Sequence, residues 1–97
     1  MLFEWHETKR KANLAKHLID FSDAVRIFDR PVFERVQRRH GESRVLAVGL
    51  MEDIEIVVVY AVRGKRRRII SARRANRNER QDYASHLKAA EAGRNRP

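Results

Sequence analysis

The sequence predicts an α+β domain in which two N-terminal helices and one C-terminal helix pack on a small, largely antiparallel sheet. Three observations carry this expectation. Apolar residues recur at three- and four-residue spacing in the first third of the chain and switch to a period of two from Arg44 onward. The run Ile54–Val62 has apolar side chains on both of its alternating faces, the mark of a central strand covered on both sides. The length, 97 residues, suits one domain around one core.

The elements follow in order. Leu2–Trp5 reads as a short strand with Leu2 and Glu4 on one face and Phe3 and Trp5 on the other. A helix over Glu7–Leu18 gathers Leu14, Ala15, Leu18 and Ile19 on one side and leaves Lys9, Lys11 and Lys16 elsewhere. Ser22 is placed to cap a second short helix, Asp23–Phe28, which Asp29-Arg30-Pro31 stops because a proline disfavours a helical residue before it. Val32–Gly41 has the material for a further strand in Val32, Phe33 and Val36, with Arg38-Arg39-His40-Gly41 as a turn. The expected sheet is a three-strand meander plus the short N-terminal strand. Its strands are Arg44–Leu50, with Arg44, Leu46, Val48 and Leu50 on one face, then Ile54–Val62, then Arg66–Arg74. Met51-Glu52-Asp53 and Arg63-Gly64-Lys65 connect them, the latter with glycine where a positive φ is needed. Asn76 and Glu79 have capping-box spacing and open a final helix with Tyr83 and Leu87 on one face. The domain is expected over residues 1–87, and the alanine-, glycine- and charge-rich stretch 88–97 reads as a flexible tail.

Composition narrows the function classes. The chain has 22 Lys and Arg against 13 Asp and Glu, a formal charge of +9, and it points to a polyanionic partner, nucleic acid above all. Cysteine is absent, which excludes disulfides and thiolate metal sites and is compatible with a reducing cytoplasm. His6, His17, His40 and His86 lack paired metal-ligand spacing, so neither metal nor cofactor is expected. No apolar run approaches the roughly 18 residues that span a bilayer, and no signal-peptide core is read at the N-terminus; a membrane is not among the expected partners.

The most informative stretch is Arg63–Arg80, which holds Arg63, Lys65, Arg66, Arg67, Arg68, Arg73, Arg74, Arg77 and Arg80 against the single acid Glu79. Ile69, Ile70 and Ala72 inside it require that part of the run enter a core, so it reads as a folded strand presenting guanidinium forks to phosphates. Regular alternation would put Arg67, Ile69, Ser71 and Arg73 on one face and Arg66, Arg68, Ile70, Ala72 and Arg74 on the other. The competing reading is a basic edge strand that blocks aggregation. His17, near the end of the first helix, offers an imidazole for proton transfer, or simply complements the helix dipole. Tyr83 is open to two readings, core packing or a hydroxyl at a groove edge, and Tyr60 reads as core. Glu42 and Arg44 are either a surface ion pair or an acid beside its phosphate-binding partner. Motifs of metallohydrolases, serine hydrolases and nucleotide-binding loops are missing. A chain so equipped would cut RNA rather than DNA, because RNA supplies its own 2′-OH as nucleophile and asks only for orientation, proton transfer and charge stabilisation.

These residues resemble a known family. FEW at 3–5, Lys9, Asn13, Lys16-His17, FSDA at 21–24, VFERV at 32–36, GESR at 41–44, VVYAVRG at 58–64, and RIISARRANRNER at 68–80 with Tyr83 are similar to BrnT, ribonuclease toxins of type II toxin–antitoxin modules. The resemblance covers nearly the whole chain up to Leu87. It implies a RelE-like fold and a metal-independent endoribonuclease that cleaves mRNA and inhibits growth. It also implies neutralisation by a BrnA-type antitoxin in a heterotetramer, with operator DNA bound only through that complex. On this reading His17, Arg44, Arg68, Arg73 and Tyr83 are the catalytic candidates, and Lys16, Glu42, Arg63, Arg66, Arg74 and Arg77 bind substrate. Two departures stand out: His6-Glu7 replaces the aspartate that usually follows the tryptophan, a poorer cap, and Leu18 replaces a glycine helix stop, so the first helix is expected to run longer. Two rival readings are a non-catalytic nucleic-acid-binding regulator, for which the first two helices have helix-turn-helix spacing, and an inactive copy acting through partner binding.

Overall fold

The computed structural model describes residues 2–94. Its elements are β1 (Leu2–Glu4), α1 (Glu7–His17), α2 (Phe21–Ala24) running into a 3-10 helix (Val25–Asp29), β2 (Phe33–Arg39), β3 (Glu42–Met51), β4 (Ile54–Arg63), β5 (Arg66–Arg74) and α3 (Arg77–Arg94). The strands form one sheet in the order β1-β5-β4-β3-β2, antiparallel throughout except for β1, which runs parallel to β5. The α+β class and the meander of β3, β4 and β5 are as the sequence predicts. The sheet has a fifth strand, however, because Phe33–Arg39 pairs with β3 along its full length.

Each hairpin turn places a residue at positive φ. His40 and Gly41 (φ 54° and 74°) close β2–β3, Glu52 (57°) lies in the β3–β4 turn, and Gly64 (61°) lies in the β4–β5 turn. Positive φ at both central residues of the first turn is the combination whose twist matches a hairpin.

The two faces of the sheet carry different cores. On one face, Ile19, Phe21, Ala24 and Ile27 pack against Ala47, Ile56, Val58, Tyr60, Ile69 and Ala72. The 3-10 helix comes so close to β3 that a Cβ on Gly49 would lie 2.9 Å from the Cβ of Ile27. On the other face, Tyr83 and Leu87 of α3 close over Val48, Val57, Phe33, Leu46 and Val59. β4 is buried between the two, as its apolar faces predict.

Local details correct the sequence reading in four places. Asp20, not Ser22, caps α2: its carboxylate accepts from both the backbone N–H and the hydroxyl of Ser22. α1 ends at His17, because Leu18 itself adopts the left-handed conformation at φ 60°. The predicted alternation of β5 is broken by a bulge: Tyr60 pairs with Ile69 and Val59 with Ser71, so Ile70 is the extra residue. Ile69 and Ala72 therefore share one face, and Arg68, Ser71 and Arg73 fall on the other. Finally, α3 continues through Lys88 to Arg94, where the sequence suggested a tail, although residues 88–93 are exposed; residues 95–97 of that stretch lie outside the described residues.

α1 makes an unusual contact with the sheet. Asn13, its one buried residue, spans the backbone of Ala72, donating to the carbonyl at 2.9 Å and accepting from the N–H at 3.1 Å. The same amide donates to Ile19 O at 2.9 Å. β1 stops at Glu4, opposite Arg68, and Asn13 satisfies the strand edge that β1 leaves free. α1 thus lies along the border of the sheet rather than on a face.

Candidate nucleic-acid interface

Strand register assembles the basic surface. Arg68 pairs with Glu4 on one side and Ala61 on the other, and Arg66 pairs with Arg63. Val45 pairs with Tyr60, and continuing that register places Arg44 opposite Ala61. Arg44, Ala61, Arg68 and Glu4 thus form one row across four strands, with Arg63 and Arg66 in the next. Alternation places this row on the α3 face, in line with Val57, Val59 and Leu46. α3 packs chiefly over β2 and β3, leaving the β5–β1 end of this face to charged side chains.

The small Ala61 between Arg44 and Arg68 leaves a shallow floor with a guanidinium on each side. Both arginines are half-buried, and neither is well neutralised. Arg44 meets Glu42 at 3.4 Å, and Arg68 approaches Glu4 no closer than 4.0 Å. Among the described residues the Arg44 Nε has no hydrogen-bond partner, and it is buried, a desolvated donor on a charged group. Such a site attracts an anion, because the energy of drawing the guanidinium out of water has been spent without a matching acceptor.

Arg73 lies on the same face but in a different condition. Its fork makes two bonds of 2.8 Å to the two oxygens of Glu79. Glu79 closes the predicted capping box, taking the Asn76 N–H at 2.8 Å while Asn76 Oδ1 accepts the Glu79 N–H at 2.8 Å. The Arg73 guanidinium holds the Glu79 carboxyl below the usual carboxylate range, and the Asn76 N–H adds to this. The arginine that the sequence offered to a phosphate thus anchors the start of α3 to β5.

The other predicted site residues disperse. Arg74 pairs with Ile56 and points to the opposite face, and Arg77 opens α3 in solvent. His17, half-buried, sits one turn beyond Asn13 at the sheet border, with Lys16 exposed beside it. Tyr83 is core: it is buried on Val48 and Val57, and burial pushes its hydroxyl up from the ordinary value. Tyr60, on the other face, donates to Glu34 and is pushed up to about 12, by burial first and then by that carboxylate. Arg67 lies over two rings there, 4.7 Å from the Phe28 centroid and 4.8 Å from that of Tyr60. Sequence reasoning missed Glu4, which faces Arg68, and the Glu79 contact that occupies Arg73. Face parity along β1 pointed to the first, but nothing local to β5 gave the second.

The helix pair considered for duplex reading does not form a recognition module. α2 has four residues, and Phe21 and Ala24 are buried in the core. Among the described residues, no helix is long and apolar enough to cross a membrane.

Against models of protein families, residues 5–79 match the one described as ribonuclease toxin, BrnT, of type II toxin-antitoxin system. The matched span holds β2 to β5, leaves out β1, and ends at Glu79, before Tyr83. No curated protein matches the chain.

Proposed function

The chain belongs to the BrnT family of ribonuclease toxins of type II toxin–antitoxin systems, and from this premise we propose that it is a metal-independent endoribonuclease cleaving mRNA on the row Arg44–Ala61–Arg68. The observation that carries the assignment is the pair of under-neutralised guanidiniums across Ala61, one with a buried donor that has no partner. A phosphate seated there gains two charge-assisted forks, which tighten as negative charge builds on the phosphorane. The RNA 2′-oxygen attacks the adjacent phosphorus, the bond to the 5′-oxygen breaks, and a 2′,3′-cyclic phosphate and a 5′-hydroxyl result. Arg63 and Arg66 continue the cationic track for neighbouring phosphates. Arg73 acts at one remove, fixing α3 against β5, with Glu79 as its counter-ion. Glu42 is the acid that the scissile phosphate displaces from Arg44. His17, with Lys16 at the sheet border and off this row, is the candidate left for proton transfer, Tyr83 being buried in the core.

The partner in this reading is a BrnA-type antitoxin that covers the basic surface in a cytoplasmic heterotetramer, with operator DNA bound through that complex. So high a net charge favours an acidic or complementary cover.

The test uses partner-free protein and a defined single-stranded RNA in EDTA. Cleavage ending in 2′,3′-cyclic phosphate, lost in a folded Arg44→Ala variant, is the expected result. Undiminished cleavage by Arg44→Ala, or cleavage that needs an added divalent ion, would overturn the assignment.

A further inference from the structure

The two borders of the sheet are treated differently. At one, β1 is only three residues long, and Asn13 occupies the backbone of Ala72 beyond it. At the other, β2 is the outermost strand and, among the described residues, pairs only with β3. It is exposed from Glu34 to Arg39, and Val36 is 72% exposed at its centre. Unpaired strand edges are templates for another extended chain, and folded proteins usually cover or interrupt them.

The hairpin tells which groups are free. The two-residue turn His40-Gly41 makes Arg39 and Glu42 a hydrogen-bonded pair, so Gln37 and Arg35 also bond to Arg44 and Leu46. The backbone N–H and C=O groups of Glu34, Val36 and Arg38 then point outward, in a row long enough for a short strand. Side chains flanking this row have a definite pattern. Val36 lies on the face shared with Val45, between Glu34 and Arg38, while Arg35 and Arg39 lie on the opposite face. Arg35 is held only by a 3.4 Å contact to Asp82 between exposed groups, which is worth little.

We propose that the outer edge of β2 is a docking site for an extended acidic segment of a partner protein, which adds to the sheet as a sixth strand. Backbone pairing supplies the register, and alternation supplies selectivity. The incoming strand places acidic side chains beside Arg35 and Arg39 and an apolar one beside Val36. Nucleic acid lacks the peptide donors and acceptors this edge matches. The edge borders the row Arg44–Ala61–Arg68 through Gln37, the register partner of Arg44, and docking on its outward backbone leaves the row itself to a second part of the same partner. That the partner is an antitoxin rests on the function proposed above; the surface itself does not.

The probe is the peptide acetyl-Glu-Val-Glu-Val-Glu-Val-Glu-amide, titrated into the full chain with backbone amide shifts as the readout. Shifts centred on 34–38 are expected. Binding should weaken at least about tenfold for a peptide N-methylated at alternate amides, which keeps the charge and loses the donors (one decade is 1.4 kcal/mol). A Val36→Pro variant removes one outward N–H and leaves the β3 ladder intact, so it should abolish docking with its thermal midpoint and its RNA cleavage retained. An Arg35→Glu/Arg39→Glu variant, whose edge backbone is unchanged, should bind a Lys-Val peptide instead. Equal binding of the N-methylated peptide, or shifts confined to Arg44, Arg63 and Arg66, would overturn the proposal, as would self-pairing of β2 that the acidic peptide fails to displace. Peptide docking without RNA cleavage would sink the ribonuclease assignment alone, and cleavage without docking would sink this one alone.

Discussion

Arg67 and Arg68 are neighbours on one strand, and they show how the two faces of the sheet use the same side chain. On the face covered by α2 and the 3-10 helix, Arg67 is laid over Phe28 and Tyr60 and has become part of the core's lid. Phe3 stacks on Phe28 with centroids 5.4 Å apart, and Phe28 meets Tyr60 edge-on at 5.6 Å. On the α3 face, Arg68 stands beside Ala61 with only a carboxylate 4.0 Å away. The first charge is stabilised by ring faces, which leaves little attraction for an anion. The second is held in place without being neutralised. A cluster of arginines therefore does not define a binding surface by its count; what matters is which of them the fold leaves without a counter-charge.

The largest expected effect separates these neighbours. Arg68→Ala should lower RNA cleavage by about 100-fold or more, the usual cost of removing a donor aimed at transition-state charge, while the unfolding midpoint barely moves. Arg67→Ala should do the reverse. It gives up the cation–π contacts and the packing of the arginine stem, about 1–2 kcal/mol of stability, and leaves cleavage close to wild type. Cleavage rates and denaturant midpoints of the two variants, measured side by side, check both halves. Equal losses of activity would remove the distinction between the faces.

A second contrast lies within the α3 face, between Arg68 and Arg73. Arg73 has its counter-charge, and the pair should be visible in acid. Glu79 is held below its ordinary value of 4.5, chiefly by Arg73. A carboxylate whose folded pKa is depressed contributes stability above the unfolded pKa and loses it as the pH falls through the folded one. The wild-type melting midpoint should therefore drop on acidification below about pH 4.5, and Arg73→Gln should flatten that drop. Some slope remains in the variant, because the Asn76 N–H still favours the ionised form.

The sequence displays these distinctions unevenly. Arg44 and Glu42 are legible because β3 alternates without interruption, so parity alone assigns them to the face of Leu46 and Val48. The capping box is legible because both of its members are local. The bulge at Ile70 is not, since nothing in RRRIISARR marks which residue the ladder will omit; the partner strand decides it. β2 is faint for a related reason. As an exposed edge, it buries little beyond part of Phe33, so the hydrophobic period that reveals a strand is nearly absent. Asn13 is legible only as an oddity: a polar residue among alanines and a leucine, whose partner is 59 residues away. Contacts that depend on distant backbone leave no local pattern.

The smallest expected effect concerns the end of α1, beside His17. Leu18 stands at φ 60°, where its Cβ crowds the backbone, and its N–H closes the helix on Leu14 O at 3.0 Å. Its side chain is 83% exposed, so little packing compensates. Glycine adopts this conformation without the clash, and the cap geometry does not depend on the leucine. Leu18→Gly should therefore stabilise the protein by about 1 kcal/mol, less the chain entropy that glycine adds to the unfolded state. Chemical denaturation gives the sign directly. Because His17 is the last residue of that helix, the same variant also tests the proton-transfer assignment. A firmer helix stop with unchanged backbone leaves cleavage intact if His17 already sits where the chemistry needs it. A gain in cleavage beyond the gain in stability would mean that Leu18 holds the imidazole out of place.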